Sequence, residues 1–352
     1  MSPPGFDLTT YRSQLAALAE RGVYLGTSSW KYLGWLGQVY QRDRYEYRGK
    51  FAESRFERDC LREYAETFKT VCVDAAYYTF PSEKNLQGLA DQVPDDFRFA
   101  FKVTDEVTMR RYPKIPRFGE RGGTINENFL NAPLFIQRFL QPLVVLGAKV
   151  GPIIFEFSRF YASDFSKGSE FVAALDAFLG ALPKEWTYSV ELRNEKWLAS
   201  EYLECLRRHN VAHVFNNWTD MPPISEQLNL VGDLKTDRHT VARFLLRPGR
   251  PYEEAVKKFQ PYQTTQELNE NARGAGYVLI NGALSRPARN GTYLYVNNRL
   301  EGNAINTIAA FLAKFPELSS ATRTNPASPA PAIQPPPSPA TGAPKDQLQL
   351  GL

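Results

Sequence analysis

Tyr188-Ser189-Val190-Glu191-Leu192-Arg193-Asn194-Glu195-Lys196-Trp197 is the stretch on which the fold turns. It opens as an apolar run of the kind that forms a buried strand. It ends in two charges, Glu191 and Arg193, which share a face because strand side chains alternate with period two. A charged pair at the end of a buried strand has two readings. One is a functional site at the C-terminal end of a parallel strand in an α/β protein. The other is a structural ion pair that closes the strand.

Outward from this stretch, apolar runs recur. They predict strands over 23–28, 70–74, 97–103, 152–157, 186–192, 211–216, 241–246 and 292–296. Helical or irregular crossovers lie between them: an amphipathic helix over 55–68, helices over 82–93, 126–146, 164–182, 201–209 and 303–315, and a mostly helical 252–275. The apolar segment 277–283 fits either helix or strand and is read as part of the last crossover. Strands alternating with helices call for a parallel sheet, and eight such units fit a (β/α)8 barrel. An open doubly wound sheet is the competing architecture. Gly26-Thr27-Ser28-Ser29 lacks the later glycines of its phosphate-binding turn, and no GxxxxGK is present. The expected organisation is a lead-in over 1–22, a barrel over 23–318 and a Pro/Ala/Ser-rich tail over 319–352. That tail has too little apolar surface to offset its chain entropy and reads as disordered.

The chain has 352 residues, 43% of them hydrophobic, enough for a large core. Lys and Arg number 42 against 38 Asp and Glu, a mildly basic balance that falls short of a dedicated nucleic-acid binder. Cys60, Cys72 and Cys205 are widely spaced, which argues against a zinc ribbon or disulfide framework and for a reducing compartment. Met1 to Thr10 carry no signal-peptide pattern, and no apolar run approaches a membrane span. A cytoplasmic protein that does not enter membranes is expected.

Several strand-end motifs together resemble the DUF72 (YecE-like) family. They are Gly26-Thr27-Ser28-Ser29-Trp30 with Tyr32, Trp35 and Tyr40; Thr70-Val71 followed by Tyr77-Tyr78 and Pro81; and Phe97-Arg98-Phe99-Ala100-Phe101-Lys102. Gly151-Pro152, Val190-Glu191-Leu192-Arg193 with Trp197, and Tyr293-Leu294-Tyr295-Val296-Asn297-Asn298 with Gly302-Asn303-Ala304 continue the pattern. The resemblance implies a TIM barrel, a predominantly bacterial source and no settled biochemical function. It also implies a distant kinship to endonuclease-IV-like and xylose-isomerase-like barrels. This chain departs from the family pattern where Cys72 replaces Glu, Asp74 replaces Asn and Glu156 replaces Gln. Met109, Asn194 and Pro248 stand where histidines are usual, so chemistry that depends on those histidines does not carry over.

In a barrel the surviving polar residues share one rim. Glu191, Glu156 and Lys102 are the catalytic candidates. Arg193, Arg247, Asn297, Asn298, Trp30, Tyr78 and Asp74 are the ligand-binding candidates. Lys102, Arg193 and Arg247 are expected to converge on a small anionic ligand, phosphorylated or sugar-like, for a hydrolase or isomerase; the competing expectation is that the acids consume these cations in a neutral network. Glu156 and Glu191 end adjacent strands roughly 5 Å apart, the spacing of a retaining glycosidase, which the barrel itself imposes. No cofactor or tight metal is expected, because three cations among the carboxylates weaken the pull on a divalent ion. His209 and His213 read as ordinary structural or surface residues. A nucleic-acid-binding barrel is the alternative, from the basic loop Arg110-Arg111-Tyr112-Pro113-Lys114-Ile115-Pro116-Arg117-Phe118 and the aromatic-basic loop over 30–50.

Overall fold

The computed structural model describes residues 6–232, 239–286 and 291–319. Eight parallel strands form the central sheet: β1 (Val23–Thr27), β2 (Thr70–Val73), β3 (Arg98–Lys102), β4 (Val150–Phe157), β5 (Tyr188–Leu192), β6 (Ala212–Asn217), β7 (Thr240–Phe244) and β8 (Thr292–Val296). Their order is β1-β8-β7-β6-β5-β4-β3-β2, so each strand from β2 to β8 follows its neighbour in the chain and β8 returns to β1. The result is a nearly closed α/β barrel of the TIM type, as the alternation predicts. No described helix is long and apolar enough to cross a membrane.

Seven of the eight junctions are hydrogen-bonded ladders. The eighth, between β1 and β2, is made by a side chain. The Tyr64 hydroxyl, from the helix Glu53–Ala65, accepts the Thr27 N–H at 3.1 Å and donates to the Thr70 carbonyl at 3.1 Å. The strands approach so closely here that a Cβ on Gly26 would lie 2.3 Å from the Thr70 carbonyl oxygen. Glycine is required at that position by contact with the opposing backbone, not by its dihedral angles.

Two cores follow from the barrel's two surfaces. Inside, Cys72, Ala100, Ile154, Val214, Val241 and Tyr295 form a compact apolar plug. Outside, the strands' other faces pack against the helices in a much larger cluster that includes Phe99, Phe101, Phe155, Val190, Phe215 and Phe244. Every barrel strand is apolar on both faces over most of its length because both faces are buried.

Within the expected lead-in over 1–22, the described residues from Phe6 onward join the barrel's packing. Leu8–Glu20 forms a helix whose N-cap, Asp7, accepts the N–H groups of Thr9 and Thr10. Tyr11, Leu15 and Leu18 enter the outer core, and Gln14 donates to the carbonyls of Leu312 and Phe315. The helical stretch predicted from residue 126 begins only at Ala132, after its Asn131 cap, and turns through a π-helical segment, Ile136–Leu140, just ahead of Pro142. Proline has no N–H for the regular ladder, which favours a widened turn before it. The predicted helix over 252–275 divides into Tyr252–Phe259 and Glu270–Leu284, and the ambiguous 277–283 belongs to the second of these. Of the predicted tail, residues 320–352 lie outside the described residues.

Candidate functional site

The inner plug positions the site by period-two alternation. Two residues beyond five of the plug side chains, toward the C-terminal end, the strand or the turn that follows it carries a polar residue of the inward set. Cys72 is thus followed by Asp74, Ala100 by Lys102, Ile154 by Glu156, Val214 by Asn216 and Val241 by Arg243. Ser189 and Glu191 continue the set on β5. Register aligns it: Glu156 is the direct partner of Glu191, and Asn216 that of Arg243. The plug closes the barrel below, and a polar layer lies above it, facing the mouth.

The charges in this layer are bonded to one another. Glu156 Oε2 lies 2.6 Å from Lys102 Nζ, 2.7 Å from Arg193 Nη2 and 3.1 Å from Arg243 Nη1. Arg193 also donates to Glu191 Oε1 through Nε and Nη2. Arg243 reaches Glu191 Oε2 at 2.6 Å and Asp74 Oδ1 at 2.9 Å. Three formal positive charges therefore meet three negative ones. Burial pushes the Glu156 carboxyl up, but the nearby Arg193, Lys102 and Arg243 outweigh it and hold the group at about 2. Arg193 stacks over Trp218, its guanidinium carbon 3.6 Å from the ring centroid, and Lys102 Nζ lies 3.6 Å from the centroid of Tyr77. Asp74 is the most accessible of the three carboxylates.

Below Glu191, His213 takes part in a buried chain. Its Nδ1 lies 3.1 Å from the Tyr202 hydroxyl and its Nε2 3.3 Å from Gln227 Oε1. Burial lowers its pKa to about 4, against the opposing pull of Gln227 and Glu191. It is a buried, structural histidine, the first of the two alternatives, structural or surface, that the sequence leaves open.

A groove of about 860 Å³ opens beside Arg193, between the loops that follow β4, β5 and β6. Arg159, Arg193 and Lys196 line it together with Glu195, Asp220 and Glu226, so here too three cations face three acids. Arg159 and Asp220 pair across it at 3.3 Å, and Tyr161 stands 63% exposed at its edge.

Residues 24–333 match the family described as "Protein of unknown function DUF72". The chain belongs to the DUF72 family. Its fold is similar to two crystal structures of a DUF72 family protein from Enterococcus faecalis. One has 17% identity and a TM-score of 0.54, covering 88% of this chain and 100% of that one. The other has 18% identity and a TM-score of 0.55, covering 83% and 96%. A DUF72 family protein from Thermotoga maritima is similar at 21% identity and a TM-score of 0.53, covering 83% of this chain and 98% of that one. No curated protein matches the chain.

Within this DUF72 barrel, Asp74, Lys102, Glu156, Glu191 and Arg193 meet as the sequence predicts. Arg247 does not join them. Its side chain is 59% exposed and pairs with Glu267 at 2.8 Å. Strand β7 ends at Phe244, so the inward cation from that strand is Arg243, which the sequence reading passes over. Asn298 holds the fold together: its Oδ1 accepts the Trp35 indole N–H and the Ala304 N–H, tying the first loop to the last helix. Asn297 accepts the Arg299 N–H within its own turn. Trp30 is buried in the outer core, whereas Tyr78 is 60% exposed beneath the guanidinium of Arg117.

The two basic loops have used much of their charge. Arg111 pairs with Asp164, Arg117 with Asp105 and Arg121 with Glu106, while Arg110 packs on Phe129 and Phe165. In the first loop, Trp35, Tyr40 and Tyr45 are core residues in edge-on and stacked ring contacts, and Arg44 pairs with Glu63 and Glu66.

Proposed function

We propose that the mouth of this barrel binds a neutral, hydroxyl-rich, sugar-like ligand that extends into the groove beside Arg193. The observation that carries this reading is the charge balance. Lys102, Arg193 and Arg243 are matched by Asp74, Glu156 and Glu191, and the groove, which shares Arg193, adds Arg159 and Lys196 against Glu195, Asp220 and Glu226 and so carries no excess of cations. Such a surface offers many donors and acceptors without a net field to select an anion. The polar groups are interleaved with the rings of Trp218, Tyr77 and Tyr78, each with a cation on one face, and aromatic rings among a few placed polar groups suit a ligand pocket. An anionic, phosphorylated ligand has less support, because the cations meant for it are already bonded to carboxylates. Nucleic-acid binding has less support for the same reason in the two basic loops.

If the ligand is processed, the residues favour positioning over proton donation. Glu156, held at about 2, stays ionised near neutrality and is a poor general acid. Glu191 is held by two arginines, an arrangement for orienting groups more than for attack. Lys102 is the remaining hydrolase or isomerase candidate, with its ammonium directed over Tyr77 and at the edge of the layer.

A thermal-shift and calorimetric panel tests the reading with neutral mono- and oligosaccharides, phosphosugars, inorganic phosphate and oligonucleotides. Neutral saccharides are expected to stabilise the protein at millimolar concentration, longer ones more. Trp218→Ala is expected to weaken that binding by about 1–2 kcal/mol through lost stacking area. Binding of phosphate or oligonucleotide with no response to any neutral saccharide would sink the proposal.

A further inference from the structure

On the outer surface of the barrel, away from the mouth, two neighbouring helices bring together three side chains that the barrel chemistry does not use. Asp176 lies on the helix Gly168–Gly180. Cys205 lies on the helix Ser200–Arg208, and His209 is the C-cap of that helix. Cys205 and His209 are four residues apart, so they stand one above the other on the same helical face. The His209 Nε2 is 2.8 Å from Asp176 Oδ1, and the Cys205 Sγ is 3.7 Å from the same oxygen. All three candidate ligand atoms lie within 4.8 Å of one another.

We propose that Asp176, Cys205 and His209 form a binding site for a borderline-soft divalent cation of the zinc class, clipping these two helices together. The donor set is one thiolate, one imidazole and one carboxylate. Tetrahedral zinc takes such ligands at about 2.0–2.3 Å, which places the ligand atoms about 3.3–3.8 Å from each other. The sulfur–oxygen pair already has this spacing. The imidazole–carboxylate pair needs to open by about half an ångström, within the reach of one rotamer adjustment. Water takes the fourth position.

The mixed set points to zinc rather than to magnesium or calcium, which favour oxygen ligands. Cys205 is buried, so a cation here is shielded on the core side. Burial, and then Asp176, push its thiol up to about 12, so in the free protein it carries a proton. Binding exchanges that proton for the metal: the S–H bond breaks, a metal–sulfur bond forms and the proton leaves to solvent. Arg208 is bonded to the same Asp176 oxygen, with its side chain 61% exposed. It can swing to solvent or hold the carboxylate's second oxygen as an outer partner of the bound ligand. The sequence reading pairs His209 only with His213 and sets both aside as structural or surface residues; Asp176 becomes a companion of Cys205 and His209 only when the two helices pack.

The test uses the full chain after chelator treatment, titrated with zinc and with cobalt as a spectroscopic probe. One equivalent is expected to bind, with a thiolate-to-cobalt charge-transfer band, release of about one proton near neutrality and a rise in melting temperature. Cys205→Ser is expected to abolish the band. His209→Gln and Asp176→Asn, both near-isosteric changes at half-buried positions, are expected to weaken zinc at least about tenfold while the apo fold is kept. The proposal is overturned by either of two results. One is the absence of a cobalt–thiolate band together with no zinc binding tighter than about 10 µM, a strength expected of weak adventitious sites. The other is a stoichiometric metal retained unchanged in His209→Gln.

Discussion

Two glutamates in this protein each hold three cations, and both carboxyls lie at about 2. Glu156, inside the barrel, binds Lys102, Arg193 and Arg243. Glu267, on the rim, binds Arg247, Arg250 and Lys258. The acidities agree for different reasons. Around Glu156 a strong desolvation penalty is overcome by three close charges. Around Glu267 hydrogen bonds from Lys258, Arg250 and Arg247 do most of the work in a partly wet setting. The comparison teaches that a depressed pKa reports a preference between protonation states and not what the group contributes to the fold. A buried charge network is needed because its members are there, and an exposed one can largely be replaced by water.

Breaking the inner cluster should produce the largest effect. Arg243 touches all three carboxylates, alone among the described cations, and Arg243→Met leaves Glu156 and Glu191 buried without it. Destabilisation of about 3–5 kcal/mol is expected in urea unfolding. A loss below about 1 kcal/mol would mean that water or Lys102 substitutes freely, and the contrast between the clusters would collapse.

Acid titration sharpens the comparison at an intermediate scale. Glu156 has a folded pKa below the ordinary 4.5, so its stabilising contribution is present above about pH 4.5 and is lost as pH falls through about 2. Glu267 shares that window and sign. Salt separates them, because molar ionic strength screens the rim and hardly reaches the barrel interior. The acid-induced loss in Glu156→Gln should be smaller than in the parent at any salt, whereas the difference made by Glu267→Gln should shrink as salt is raised.

The smallest effect belongs to Arg247. Arg247→Ala leaves Glu267 with Arg250 and Lys258, and a change within about 0.5 kcal/mol is expected in the same unfolding assay. An effect as large as that of Arg243→Met would place Arg247 in the site after all.

Much of the barrel is legible because alternation and apolar runs are local properties. Glu191 and Arg193 share a face by counting alone, and the adjacency of Glu156 and Glu191 follows from consecutive parallel strands. Arg243 escapes because Leu245 and Leu246 continue the apolar run and carry the expected strand end to Arg247. The ladder in fact stops at Phe244, after which the Leu246 N–H turns to the Asn217 carbonyl. Counting by twos from Val241 puts Arg243 on the inward face. The helix Leu8–Glu20 is also readable, from Asp7 before Thr9 and Thr10, but its membership of the core depends on Gln14 and Tyr11 meeting residues some three hundred positions away. The meeting of Asp176 with Cys205 and His209 likewise exists only in three dimensions.

The tyrosine that joins β1 to β2 has a dynamic consequence. A ladder spreads its load over several backbone bonds and opens cooperatively, whereas this junction hangs on a single phenol oxygen between Thr27 and Thr70. The cylinder therefore has a built-in line of lowest resistance, and native-state fluctuations that part the wall will run along it. Deuterium from solvent should reach the Thr27 amide before those in the middle of β5, whose neighbours are laddered on both sides. The Tyr64 hydroxyl thus makes a closed wall and also determines where that wall breathes.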